Sequence, residues 1–395
     1  MTTLRRTAVA AVLALVLPLP IAGAATAASA VTGPATAIAA ASSPAPVSAE
    51  LPRPTGPFAV GLDTLHLVDA DRPDPWVPAA GPRQLMVSMV YPARPGSGGP
   101  AAYMTTAEAL AWLQQDNIPN ATGLAQAVSV TRSWARADAR PAPGRFPLVL
   151  LSPGLTMPRA TLTSVAVDLA SRGYVVALVD HTYEAPGITF PDGRTLGCVI
   201  CDRPPAGGPA AVASSRAKDL SFVIDQLTDR HPAWRYARLI DPQRIGLAGH
   251  SIGGDGAAAT MAADDRVRAG VDLDGTLFAP IPATGLDGRP FLLLGAQADE
   301  SPGQDPSWSQ GWTRLDGWKR WLTIAGANHS SATDVPLLAS QAGIPEPPEP
   351  LSPSRGLELT REYLGAFFDL QLKGIPQPLL DGPSPANPEV TFQRP

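Results

Sequence analysis

Charge is scarce in this chain: Asp, Glu, Lys and Arg together make up 16% of 395 residues, and the formal net charge is -5. There is no basic excess and no Lys/Arg stripe, which excludes a nucleic-acid-binding surface. Cysteine is almost absent, with 2 residues, Cys198 and Cys201. That number excludes a disulfide-built scaffold, and one pair cannot complete a zinc site. Histidine is also rare, and the 5 present are far apart, with no H-E-x-x-H pattern. The sequence therefore gives no metal centre and no cofactor motif. Long apolar runs are missing beyond the first residues. The stretch Ala8–Leu17 is shorter than the roughly 20 residues a spanning helix needs, and Pro18 and Pro20 break it.

What remains is a hydrophobic content of 45% on a chain long enough for one large core. Residues 1–30 read as an export signal, with Arg5 and Arg6 ahead of the apolar run and small residues at Ala22-Gly23-Ala24 and Ala28-Ser29-Ala30. Residues 31–54 are Ala, Pro, Ser and Thr with too little apolar surface to fold, and are expected to be a disordered linker. A single catalytic domain is expected over residues 55–395. The expectation is a secreted, monomeric protein without a membrane anchor. In an oxidising compartment Cys198 and Cys201 are expected to pair as a local staple in a Pro/Gly-rich loop, in preference to a redox C-x-x-C.

From Pro57 onward strand-like and helix-like runs alternate. Strands are expected at Phe58–Val68, Gln84–Tyr91, Phe146–Ser152, Tyr174–Asp180, Arg244–Ala248, Ala269–Asp274, Phe291–Gly295 and Trp321–Gly326. Helices are expected at Thr105–Gln115, Ala121–Ala137, Arg159–Ser171, Ala210–Leu227, Gly253–Ala263 and Ser354–Leu372. Strands apolar on both faces, joined by crossover helices, specify an α/β protein with a mainly parallel central sheet and helices on both faces. Such a sheet gathers reactive side chains at the carboxyl ends of its strands.

Gly249-His250-Ser251-Ile252-Gly253 lies between one of these strands and its helix. A G-x-S-x-G turn there presents a nucleophilic serine, because small residues two before and two after it let strand and helix approach. A serine nucleophile needs a base, and the single histidine after Ser251 is His329, just past the last expected strand of the sheet. Two carboxylates, Asp274 and Asp299, end successive strands, and either can orient the imidazole; Asp272 reads as buried in the sheet edge. The developing oxyanion needs two backbone N–H donors. Ile252 follows the nucleophile and heads a helix, and Leu155 or Thr156 follows the strand ending at Ser152. Trp308 and Trp312 read as a core-packing helix face, His181 and Glu184 as either site or solvated loop, and Pro345–Pro353 as a connecting loop.

The segments Pro54–Gly61, Pro147–Leu155, Asp168–Val176, Asp219–Leu227 and Gly249–Gly254 resemble the α/β-hydrolase family, and within it secreted bacterial lipases and the platelet-activating factor acetylhydrolases. The resemblance implies the α/β-hydrolase fold, a carboxylic-ester substrate of small-molecule or lipid type, no cofactor, and an acid at Asp274 in Leu273-Asp274-Gly275. Pro153 stands where the acetylhydrolases usually carry histidine, a form closer to secreted lipases and cutinases, which take their acid from the later strand and so point to Asp299. The combined expectation is a serine ester hydrolase with catalytic Ser251, Asp274 and His329 and oxyanion amides at Leu155 and Ile252. Amide hydrolysis or acyl transfer by the same residues, and a non-catalytic exported binding protein, are the alternatives.

Overall fold

Alternating strand-forming and helix-forming runs fold in chain order. β1 (Ala59–Pro73) and β2 (Pro82–Ala93) are antiparallel and lead to β3 (Gly99–Pro100), α1 (Thr106–Gln115), α2 (Ala121–Ser129) and β4 (Ala135–Ala137). Then come β5 (Phe146–Ser152), α3 (Thr163–Ser171) and β6 (Val175–His181), a small ribbon of β7 (Ile188–Thr189) with β8 (Thr195–Leu196), and α4 (Val199–Asp202) with α5 (Gly208–Thr228). The second half holds β9 (Ile240–His250), α6 (Ile252–Ala263), β10 (Val267–Leu273), β11 (Phe291–Ala296), α7 (Gln297–Glu300), α8 (Pro306–Arg314), β12 (Lys319–Ile324), α9 (Val335–Ala342), α10 (Pro353–Lys373) and β13 (Val390–Phe392). The computed structural model describes residues 49–345 and 350–395. The expected export signal and residues 31–48 of the expected linker lie outside the described residues, as does part of the Pro345–Pro353 connection.

Among the described residues the main sheet has 11 strands in the order β13-β12-β11-β10-β9-β5-β6-β2-β1-β4-β3. Its centre, from β12 to β6, is parallel, while β2 and β13 run antiparallel to their neighbours at either end of that centre. Both faces are covered because side chains alternate along each strand. In β5, Leu148 and Leu150 join Leu220, Val223 and Ile224 of α5 and Ala257 and Met261 of α6 in one core. Val149 and Leu151 point the other way, toward Val165 and Leu169 of α3 and Tyr363, Phe367 and Phe368 of α10. This is the mainly parallel sheet with helices on both faces that the sequence pattern specifies.

Three local differences have physical reasons. The helix expected to reach Ala137 stops at Ser129, because the chain pairs Arg132 with Glu50 instead: Arg132 N–H donates to the Ala49 carbonyl at 2.8 Å and Leu51 N–H to the Arg132 carbonyl at 3.0 Å. Tertiary pairing there outweighs helix propensity. The same contact makes residues 49–54 part of the packed body, with Leu51 only 1% exposed. The folded region thus begins earlier than the expected boundary at 55. β13 has three residues and no periodic signal of its own; it forms by pairing with the open edge of β12. No helix among the described residues is long and apolar enough to cross a membrane.

Candidate active site

β9 ends at His250 and α6 begins at Ile252, so Ser251 carries the whole reversal of direction. It does so at φ 56° and ψ -129°, a conformation that costs a non-glycine residue about 1–3 kcal/mol. Close packing holds it there. A Cβ at Gly249 would meet the Gly253 carbonyl carbon at 2.1 Å, and one at Gly253 would meet the Ser152 carbonyl oxygen at 2.1 Å. The Ser251 N–H donates to the Leu273 carbonyl at 2.9 Å, which ties the turn to the end of β10.

Asp274, the first residue after β10, also has a positive φ of 59°. Its N–H donates to the Leu294 carbonyl at 3.0 Å, and its Oδ1 accepts from the Ala296 N–H at 2.5 Å. The carboxylate is thereby turned across the sheet edge, where Oδ2 accepts from His329 Nδ1 at 2.6 Å. Asp299 lies exposed on α7 and makes no such contact. Of the two carboxylates that the sequence offers, the structure brings Asp274 to the imidazole. That hydrogen bond, against partial burial, raises the His329 pKa above its ordinary 6.5.

His329 sits on the loop after β12, and His250, the residue before the serine, anchors that loop. His250 Nε2 lies 2.6 Å from the His329 carbonyl oxygen, and the two rings are 4.7 Å apart between centroids. Nε2 must carry the proton to donate to a carbonyl. Burial, with His329 alongside, pushes the His250 pKa down to about 4, so the ring is neutral near pH 7. This brings the His329 loop against the residue preceding Ser251, although no hydrogen bond joins the Ser251 hydroxyl to His329. Hydrogen bonds of this kind are often long before substrate binds.

The two expected oxyanion amides are both available. Ile252 is the first residue of α6, so its N–H has no partner within the helix. Among the described residues no protein acceptor takes the Leu155 N–H. Thr156, the other option, is occupied: its N–H donates to the Glu184 carbonyl at 3.0 Å. Ile252 packs with Ile200, Val212 and the bonded pair Cys198–Cys201, beside half-buried Trp76. Cys198 caps the one-turn helix α4 rather than lying in an open loop. Trp308 on α8 is fully buried and donates its indole N–H to the Gly275 carbonyl at 2.6 Å, in keeping with a core role.

Two further groups of buried polar residues are present, the first around Asp272, which lies buried in the sheet edge as its place in the sequence indicates. Asp272 is 0% exposed, neither oxygen has a hydrogen-bond partner, and its pKa is raised well above the ordinary range by burial and then by nearby Glu300, Asp255 and Asp274. Burial pushes Glu300 up to about 8 and Asp255 up to about 7. The second group is a knot below the Ser152–Thr156 loop. His181 and Glu184, open to a solvated-loop reading in the sequence, are 2% and 1% exposed. They meet Asp219 closely enough to resemble a cation site, but Arg83 and Arg216 already supply the positive charge. The only sequence signal for this knot is the presence of arginines inside otherwise apolar strand and helix runs.

Fold and strand-to-helix turn define an α/β-hydrolase. A family model described as "Platelet-activating factor acetylhydrolase, isoform II" matches residues 118–191. A "Probable 1-alkyl-2-acetylglycerophosphocholine esterase" of Arthroderma benhamiae is 29% identical over 384 residues, covering 87% of this chain and 93% of that protein. The platelet-activating factor acetylhydrolase of Canis lupus familiaris is 23% identical, covering 48% of each chain. Among solved structures, a ferulic acid esterase from Streptomyces cinnamoneus is 44% identical, covers 88% of this chain and 100% of its own, and superposes with a TM-score of 0.79. The chain belongs to the α/β-hydrolase esterases, and it is a carboxylic-ester hydrolase.

Proposed function

We propose that the protein is a secreted serine esterase that works through an acyl-enzyme, with Ser251 as nucleophile, His329 as base and Asp274 as the acid that orients it. The carrying observation is the 2.6 Å bond from His329 Nδ1 to Asp274, formed on a loop that His250 ties to the residue before Ser251. With Nδ1–H held by the carboxylate, Nε2 keeps the lone pair that accepts the serine proton. Ser251 Oγ then bonds to the ester carbonyl carbon, and the amides of Ile252 and Leu155 hold the oxyanion. Collapse breaks the bond to the alcohol oxygen, which takes the proton from His329. Water repeats the sequence on the acyl-enzyme and frees the acid.

The substrate class follows the relative with the greater identity: esters of hydroxycinnamic acids, as the name ferulic acid esterase implies. Exposed Leu155, beside its own oxyanion amide, supports it by offering apolar surface at the site's rim. A second reading, hydrolysis of short acyl groups from phospholipid, rests on the acetylhydrolase matches. The protein acts as a monomer without a cofactor, its catalytic domain following an export signal at residues 1–30 and a linker. The bonded pair Cys198–Cys201 supports an oxidising destination.

Fluorophosphonate labelling of wild type, Ser251→Ala, Asp274→Asn and Asp299→Asn tests the assignment, with methyl ferulate and an acetyl phospholipid compared as substrates. Labelling is expected to vanish in Ser251→Ala, slow greatly in Asp274→Asn and persist in Asp299→Asn. Labelling of Ser251→Ala would reject the mechanism, and loss in Asp299→Asn alone would move the acid.

A further inference from the structure

The Leu155 amide is flanked on both sides by fixed points. Before it, the Ser152 hydroxyl lies 2.9 Å from His181 Nε2 and accepts from Arg216 Nη1 at 3.2 Å, while the same guanidinium donates to the Pro153 carbonyl. After it, the Thr156 N–H donates to the Glu184 carbonyl. Glu184 is itself held by Arg216, whose Nε donates to its Oε2 at 2.8 Å, and by Trp76, whose indole N–H donates to its Oε1 at 2.8 Å. One side chain on α5 thus touches the loop ahead of the amide and grips the residue that fixes it behind.

The ionised Asp219 carboxylate can only accept, so His181 Nδ1 carries the ring proton and donates to Asp219 Oδ2 at 2.8 Å. In the neutral ring Nε2 is then the acceptor, and the Ser152 hydroxyl donates to it. Burial and adjacent Arg216 lower the His181 pKa, consistent with a neutral ring. Every charge in the knot is paired, with Arg72, Arg83 and Arg216 facing Asp69, Asp74, Glu184 and Asp219. Buried ion pairs give little stability over apolar packing, so stability does not account for the arrangement. What it does supply is direction, since its arginine donors end on the Pro153 carbonyl ahead of the Leu155 amide and on the Thr182 carbonyl in the segment that leads to Glu184.

We infer that Arg216 is a positioning residue for the esterase reaction: by joining the Pro153 carbonyl and Ser152 hydroxyl to Glu184, it sets the Leu155 amide where the oxyanion forms. The inference rests on the oxyanion reading above and adds a residue that never touches substrate.

Arg216→Lys keeps a cation but cannot span Glu184 and Pro153 together. With turnover expressed per serine titrated by fluorophosphonate, kcat is expected to fall about 10–100-fold while KM stays within about threefold, because an amide is displaced rather than removed. The inhibition constant of a trifluoromethyl ketone ester analogue, whose adduct carries the oxyanion, is expected to rise by the same factor. Should Arg216→Lys fail to fold, Trp76→Phe removes the indole N–H to Glu184, together with part of the ring, at a half-buried position and is expected to give about a 3–10-fold loss in the same two quantities. Folded variants with kcat per titrated site within twofold of wild type, or with lowered kcat but unchanged ketone affinity, would overturn the role. Ser251→Ala assayed alongside separates the two failures. If it retains turnover, the site reading falls; if it is inactive while Arg216→Lys is normal, only the positioning role falls.

Discussion

Replacing Gly253 by alanine puts two effects of opposite sign against each other at one position. Gly253 is the second residue of α6, and helix propensity alone favours alanine by about 1 kcal/mol. Its new Cβ, however, would stand 2.1 Å from the Ser152 carbonyl oxygen, 2.7 Å from its carbon and 2.8 Å from the Pro153 carbonyl oxygen. All three are backbone atoms, so no side-chain rotation relieves the clash. Relief to ordinary contact requires the end of β5 and the start of α6 to separate by about 1 Å, a misplacement that can cost about 10²-fold in rate. The separation falls between the strand end that leads to Leu155 and the helix headed by Ile252. The expected outcome is a kcat reduced about 10²-fold with KM little changed, read with a nitrophenyl ester and normalised to fluorophosphonate-reactive serine. Gly382→Ala controls for the loss of a glycine as such, since no atom lies within 4 Å of its Cβ position and its φ is not positive. A Gly253→Ala enzyme with kcat within threefold of wild type would refute the reasoning that this contact sets the geometry of the turn.

The pH profile should report the Asp274–His329 bond. The base works when neutral, and its pKa is raised, so kcat/KM is expected to rise with pH through a midpoint above 6.5, and that midpoint should move down in Asp274→Asn. An unmoved midpoint would assign the limb to another group. Stability is expected to fall as pH rises from about 7.5 to 9, because Asp272, Glu300 and, at the lower end, Asp255 hold their protons more tightly folded than unfolded, whereas His181 and His250 are by then almost wholly neutral in both states. Thermal denaturation across that range checks it: Glu300→Gln should flatten the slope, and a rising Tm would contradict it. Replacing Cys198 and Cys201 together by alanine removes a very short covalent loop, worth about 2 kcal/mol by chain entropy. Because the pair packs on Ile252, kcat is expected to drop as well, measured below the melting transition.

Much of this was legible because the strands between β5 and β12 are apolar on both faces and end in residues that a core cannot use. Ser251 and His329 stand out for that reason: each follows a buried strand and is polar where the pattern breaks. Asp274 and Asp299 occupy equivalent places in the pattern, and only the turn at Asp274, with its two backbone hydrogen bonds, separates them. His250 is hidden for a different reason. Its side chain works through a carbonyl 79 residues away, and no local periodicity records such a partner. Arg216 and Glu184 are hidden likewise, since a buried guanidinium and a solvated one look alike in a helix read on its own. The strand at Ala135–Ala137 was masked by alanine, which suits a helix until the pairing of Arg132 with Glu50 decides otherwise.

The fastening of the His329 loop to His250 has a bearing on how the molecule comes into being. A ribosome releases the segment holding the proposed nucleophile long before the segment holding its proposed proton acceptor, the two anchoring histidines standing 79 positions apart. On the proposed roles, until that later stretch has emerged and β12 has docked beside β11, Ser251 lacks its base and the newborn polypeptide is chemically silent.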